Sequence, residues 1–76
     1  MDINPLFTLF AQYANYVKSL MPYAEVYLHI TRVGVGHVSI IDDGQQMTHF
    51  LWTTYNEGLH KFREQIKIIK TTKNIS

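Results

Sequence analysis

The chain has no cysteine, only two prolines and four glycines among its 76 residues, and no long apolar run. Without thiols there are no disulfides and no thiolate-based zinc sites, and such a composition fits a reducing compartment. No stretch approaches the roughly 20 apolar residues that a membrane-spanning helix requires. The opening "MDINPLF" carries no basic n-region, so no signal peptide is expected and the expected location is cytoplasmic. Charge is also sparse, at 17% of residues with a net charge of +1, which excludes a strongly acidic, DNA-mimicking surface. With 46% hydrophobic residues the chain is well outside the range of disorder. Residues 1–76 are expected to form a single domain, whose small size limits burial to about 60% of the unfolded chain's surface.

What charge there is lies unevenly. Residues 1–59 hold Lys18 and Arg32 against Asp2, Glu25, Asp42, Asp43 and Glu57, whereas residues 60–76 hold Lys61, Arg63, Lys67, Lys70 and Lys73 against Glu64 alone. Lys61, Arg63, Lys67 and Lys70 are thus a candidate basic patch for an acidic partner or a nucleic acid. The simpler reading is a solvated helical face with its cations near a C-terminus, where the helix dipole favours them.

Two hydrophobic periods divide the chain. Asn4 before Pro5 predicts a helix start, with Asn4 as the cap. Leu6, Phe10, Tyr13, Val17 and Leu20 then recur at helical spacing, giving an amphipathic helix over 5–21 that Pro22 ends. Period two follows. Strands are expected over 23–33, 37–42 and 45–52, separated by "GVG" and by Asp43-Gly44, a strong hairpin signal. Thr54 and Glu57 make a capping box for a second helix over 55–70, on which Tyr55, Leu59, Phe62, Ile66 and Ile69 form one stripe. Gly58 weakens that helix by about 1 kcal/mol relative to alanine. Residues 71–76 are expected to be a flexible tail. The fold class is α+β, a two-layer sandwich in the order α-β-β-β-α, with both helices on one face of a three-stranded antiparallel meander.

Register determines which residues the open face presents. A two-residue Asp43-Gly44 loop sets Ile40 opposite Met47 and Val38 opposite His49, and an odd-length "GVG" loop sets Ile30 opposite Ile40. Opposed residues share a face. The expected core face then holds Val26, Leu28, Ile30, Val38, Ile40, Met47 and Leu51, with His49 near its edge. The open face holds Tyr27, His29, Thr31, Val33, His37, Ser39, Ile41, Thr48, Phe50 and Trp52. Exposed apolar surface of this kind marks a binding site, and aromatic residues are favoured anchors. The expected partner-binding set is therefore Tyr27, His29, His37, Ile41, Phe50 and Trp52. A one-residue slip, for instance from a bulge at Gly44, would instead send Phe50 and Trp52 inward as a lid on the core.

Catalytic constellations are missing. His29, His37, His49 and His60 show no metal-ligand spacing, and the expected register leaves His29 and His37 two pairing steps apart, so no metal or cofactor is expected. "GVG" joins two strands and lacks the strand-to-helix setting of a phosphate loop. Asp42 and Asp43 serve the turn.

The element order resembles that of three groups. Double-stranded-RNA-binding domains share it across nearly the whole chain and carry a K-K-x-A-K run opening the second helix, where this chain has "TTYNEGLHK". HicA-type ribonuclease toxins have a G-S-H motif entering the second strand. "RVGVGH" places His37 at a comparable point, and that resemblance implies a general base there. Small phage-encoded inhibitors of bacterial defence, including anti-CRISPR proteins, are similar in length, lack of cysteine and compact α+β architecture. That last resemblance implies a non-enzymatic inhibitor that blocks a protein surface of a defence complex inside the host bacterial cell. The open face could also be self-complementary and form a homodimer. RNA binding or cleavage through the basic patch with His37 ranks second.

Overall fold

Asp2 opens the first helix. Its carboxylate accepts the Asn4 backbone N–H at 3.0 Å, while Ile3 holds the cap position without a side-chain hydrogen bond. Asn4, the expected cap, is therefore the first helical residue, with Pro5 following in the first turn. The computed structural model describes residues 2–75. Helix α1 runs Asn4–Leu20, buries Leu6, Tyr13 and Val17, and closes where the Met21 N–H donates to the Val17 carbonyl just before Pro22.

Three strands follow as an antiparallel meander in the order β1-β2-β3: β1 Glu25–Ile30, β2 Gly36–Asp42 and β3 Gln45–Trp52. The first turn spans 31–35, closed by the Thr31 N–H on the Val35 carbonyl and the Gly34 N–H on the Thr31 carbonyl. Gly34 supplies its left-handed residue at φ 93°. Gly36 is consequently already in β2, paired with Ile30, and the expected pairing of Ile30 with Ile40 is replaced by Val26 with Ile40. The second turn forms as expected, with Asp43 and Gly44 both at positive φ and Asp42 opposite Gln45.

The third strand departs from the expected register halfway along. Ile40 pairs with Met47 and Ser39 with Thr48, but Val38 pairs with Phe50 and leaves His49 as a bulged residue. Each residue beyond His49 therefore changes face. Phe50 and Trp52 point into the core and Leu51 points out, the inverse of the expected arrangement; the slip arises at His49 and not at Gly44. Trp52 is fully buried, whereas Leu51 is 56% and Met47 69% exposed.

Helix α2 spans Tyr55–Ile75, so the segment expected to be a tail is helical through Ile75. The Thr71 and Thr72 hydroxyls donate back to the Lys67 and Ile68 carbonyls, which is compatible with continued helix. At its start the Thr54 hydroxyl oxygen accepts the Glu57 N–H, and the Glu57 carboxylate accepts the Thr53 N–H and hydroxyl. The capping box thus forms one residue wider than the sequence suggests. Both helices lie on one sheet face. Between helices and sheet, Phe50 meets Phe62 edge to face at 5.1 Å and Tyr13 edge to face at 5.5 Å, and the Trp52 and Phe62 rings pack tilted at 5.3 Å. Such pairs each contribute about 0.5–1.5 kcal/mol beyond the area they bury.

Candidate functional site

The sheet face away from the helices collects every second residue of each strand up to the bulge, then the opposite set. It carries Tyr27 and His29 from β1, His37, Ser39 and Ile41 from β2, and Thr48 and Leu51 from β3. Of the six expected anchors, Tyr27, His29, His37 and Ile41 are here. Phe50 and Trp52 are not, because the bulge commits them to the aromatic core. Leu51 takes their place, a residue that strict alternation assigned to the interior. The available signal was a change of phase: Met47 is in step with the core before His49, and the two large aromatics are in step with it only after.

His29 and His37 are direct cross-strand partners, correcting the expected two-step separation. Their rings stack with centroids 5.1 Å apart and planes 22° from parallel. Both line a shallow depression of about 320 Å³ bounded also by Thr31, Val35, Thr48 and Leu51. Tyr27 donates its phenolic hydrogen to the Glu25 carboxylate at 2.9 Å, and that bond together with the carboxylate's charge raises the phenol above its ordinary value. Ser39 lies between Tyr27 and Thr48 in the register. It is only 2% exposed, and its hydroxyl has no hydrogen-bond partner among the described residues. An outer-face serine this deeply covered shows how closely its neighbours lean over the centre of the sheet.

The expected basic patch divides in two. Arg63, Lys67 and Lys70 line a groove of about 370 Å³ between α1 and α2, with Leu9, Gln12 and Thr71. Lys70 also stands 5.9 Å from the centre of the Tyr16 ring, within cation–π range. Lys61 belongs elsewhere. Its ammonium donates to the Leu51 carbonyl at 2.6 Å and pairs with Glu57 at 3.3 Å, so it caps the exposed edge of β3. Hydrogen bonds from the Thr53 N–H and hydroxyl, and then Lys61, hold the Glu57 carboxyl below its ordinary range. His37 lies across the sheet from the groove, so His37 and the basic stripe do not form one site.

Among the described residues no group of three or more histidines, cysteines or carboxylates is placed to hold a metal ion, and no helix is long and apolar enough to cross a membrane. Comparisons with protein-family models, with curated proteins and with solved structures found no match.

Proposed function

We propose that the chain is a non-enzymatic protein-binding module that docks its partner on the open sheet face. The observation that carries this reading is the placement of both helices on one side, which leaves Tyr27, His29, His37, Ile41 and Leu51 together on the other. No lysine or arginine occupies an outward strand position on that face, so its chemistry suits a polypeptide surface and not a phosphate backbone. Half-exposed Tyr27 and Leu51 supply apolar area, and the imidazoles and Thr48 supply polar contacts around them. In its sharper form the partner is a bacterial defence complex and the chain is its inhibitor. What supports that form is the length, the absence of cysteine and the architecture shared with small phage-encoded inhibitors.

The test is a plasmid- or phage-interference assay in bacteria with an active CRISPR-Cas system, with and without expression of the chain. Restored infection supports the inhibitor. A double Tyr27→Ala, Leu51→Glu variant that folds but no longer protects supports the sheet face as the docking surface. If that variant protects as well as wild type, the docking face is wrong; if wild type gives no protection, the inhibitor reading fails for that system.

A second reading is favoured by the groove of Arg63, Lys67 and Lys70, which suits an anionic ligand such as RNA. Such binding would weaken steeply with salt, whereas docking through the sheet face would not. The cleaving version, with His37 as general base, has no support from a geometry that separates His37 from these cations.

A further inference from the structure

We propose that His29 and His37 together chelate a divalent transition-metal ion on the outer face of the sheet. The inference is independent of the docking reading, because it concerns two side chains and an ion.

Three observations carry it. First, the two residues face each other directly across β1 and β2, so their side chains leave the same face as nearest cross-strand neighbours. Second, their rings are already stacked, 5.1 Å between centroids and 22° from parallel, which sets the ring edges side by side. Two imidazole nitrogens bound to one ion at about 2.0–2.1 Å each stand no more than roughly 4.2 Å apart. Imidazole coordinates through a lone pair in its own plane, so the two rings turn out of their stack for a nitrogen of each to converge on one ion, a change of side-chain rotamer that leaves the strand pairing intact. Third, both rings line the depression of about 320 Å³, whose volume leaves room for an ion and the waters completing its coordination.

The ligand chemistry selects the ion. Neutral imidazole suits zinc, copper and nickel, while calcium and magnesium prefer oxygen donors. Glu25, the carboxylate on the same face of β1, is engaged by the Tyr27 hydroxyl. The chelate therefore has two protein ligands, with the remaining positions open to water. Such a site binds exchangeably and ties the edge strand β1 to the central strand. The sequence hid it because misplacing the first turn separated the two histidines by two pairing steps.

The experiment is calorimetric titration of the tag-free full chain with zinc chloride, repeated with nickel and copper chlorides, on wild type and on the H29N, H37N and H60N variants. One ion per wild-type chain is expected, with affinity at least tenfold weaker in H29N and in H37N and unchanged in H60N. Zinc should raise the melting temperature of wild type and leave that of H29N and H37N where it was. Because His29 is exposed and His37 half-buried, both variants are expected to fold, which far-ultraviolet circular dichroism checks. A measurement on wild type alone guards against misfolded variants: paramagnetic nickel should broaden the amide resonances around residues 29 and 37. No saturable uptake at millimolar zinc, undiminished binding in H29N and H37N, or broadening centred on His49 or His60 would each overturn the proposal.

Discussion

Gly58 lacks a side chain where the Trp52 indole needs the space: a Cβ at Gly58 would lie 2.7 Å from Trp52 Nε1 and 2.8 Å from Cε2. On the other side of the ring, a Cβ at Gly36 would lie 2.6 Å from Trp52 Cζ2. The indole fills the slot between β2 and the first turn of α2, and its N–H donates to the Gly34 carbonyl at 2.8 Å. One buried aromatic thus accounts for two glycines and anchors the first turn.

Gly58→Ala should destabilise the protein although alanine is the better helix former. The gain in propensity is about 1 kcal/mol, whereas overpacking a filled core typically costs about 1–3 kcal/mol. Urea melts should show a net loss of up to about 2 kcal/mol. Gly36→Ala should lose more, since its Cβ also meets the His29 backbone carbonyl at 2.6 Å. A more stable Gly58→Ala would mean that the indole does not occupy the slot.

The bulge at His49 makes opposite predictions for two single-residue deletions. Removing His49 restores a regular strand in which Thr48 still faces out while Phe50 and Trp52 still face in, so the protein should fold. Removing Leu51 sends Trp52 outward and empties its slot. Losing a buried tryptophan side chain costs about 3–5 kcal/mol, a large share of the roughly 4–11 kcal/mol expected for a chain of this length. Trp52 fluorescence and far-ultraviolet circular dichroism of the two deletions decide the register.

Charge substitutions test the same inversion without changing length. Leu51→Lys, on the open face, should alter stability by no more than about 0.5 kcal/mol. Phe50→Lys should abolish cooperative unfolding, because it would place an unpaired cation among Tyr13, Trp52 and Phe62. The reverse ranking would restore the uninterrupted alternation.

At alkaline pH the buried Tyr13 should govern stability. Burial raises its phenol from 10.0 to about 12, so the folded state binds its proton more tightly than the unfolded state does. The contribution is therefore complete below pH 10 and is lost as pH rises towards 12, at roughly 1.4 kcal/mol per pH unit within that window. Tyr13→Phe should remove this slope from denaturation midpoints measured between pH 9 and about 12.

At acid pH the sign is opposite. Glu57 has a lowered folded value, so its stabilising effect is present above its ordinary carboxyl range and disappears as pH falls through the folded value. Glu57→Gln should flatten the acid limb of the melting-temperature profile and fray the start of α2, where the carboxylate holds Thr53. Unchanged acid sensitivity would show that the cap contributes nothing measurable.

Local patterns were sufficient for much of this fold. The 3.6-residue stripes of Leu6, Tyr13 and Val17 and of Phe62 and Ile66, the stop at Pro22, the Asp43-Gly44 turn and the Thr54–Glu57 cap each depend on neighbours in sequence, and so the element order and the α+β sandwich were legible. The open face was legible only as far as His49: Tyr27, His29, His37 and Ile41 stand where alternation puts them, whereas Leu51 stands where alternation put Phe50 and Trp52. Sequence spacing alone could not locate the bulge, because it arises where Phe50 and Trp52 meet Tyr13, Phe62 and the two glycines, all contributed by other elements. Burying two large aromatics against those partners outweighs one interrupted step of the β2–β3 ladder. The first hairpin was decided the same way. Gly36 joins β2 because the Trp52 ring lies against it, and that placement brings His29 and His37 face to face.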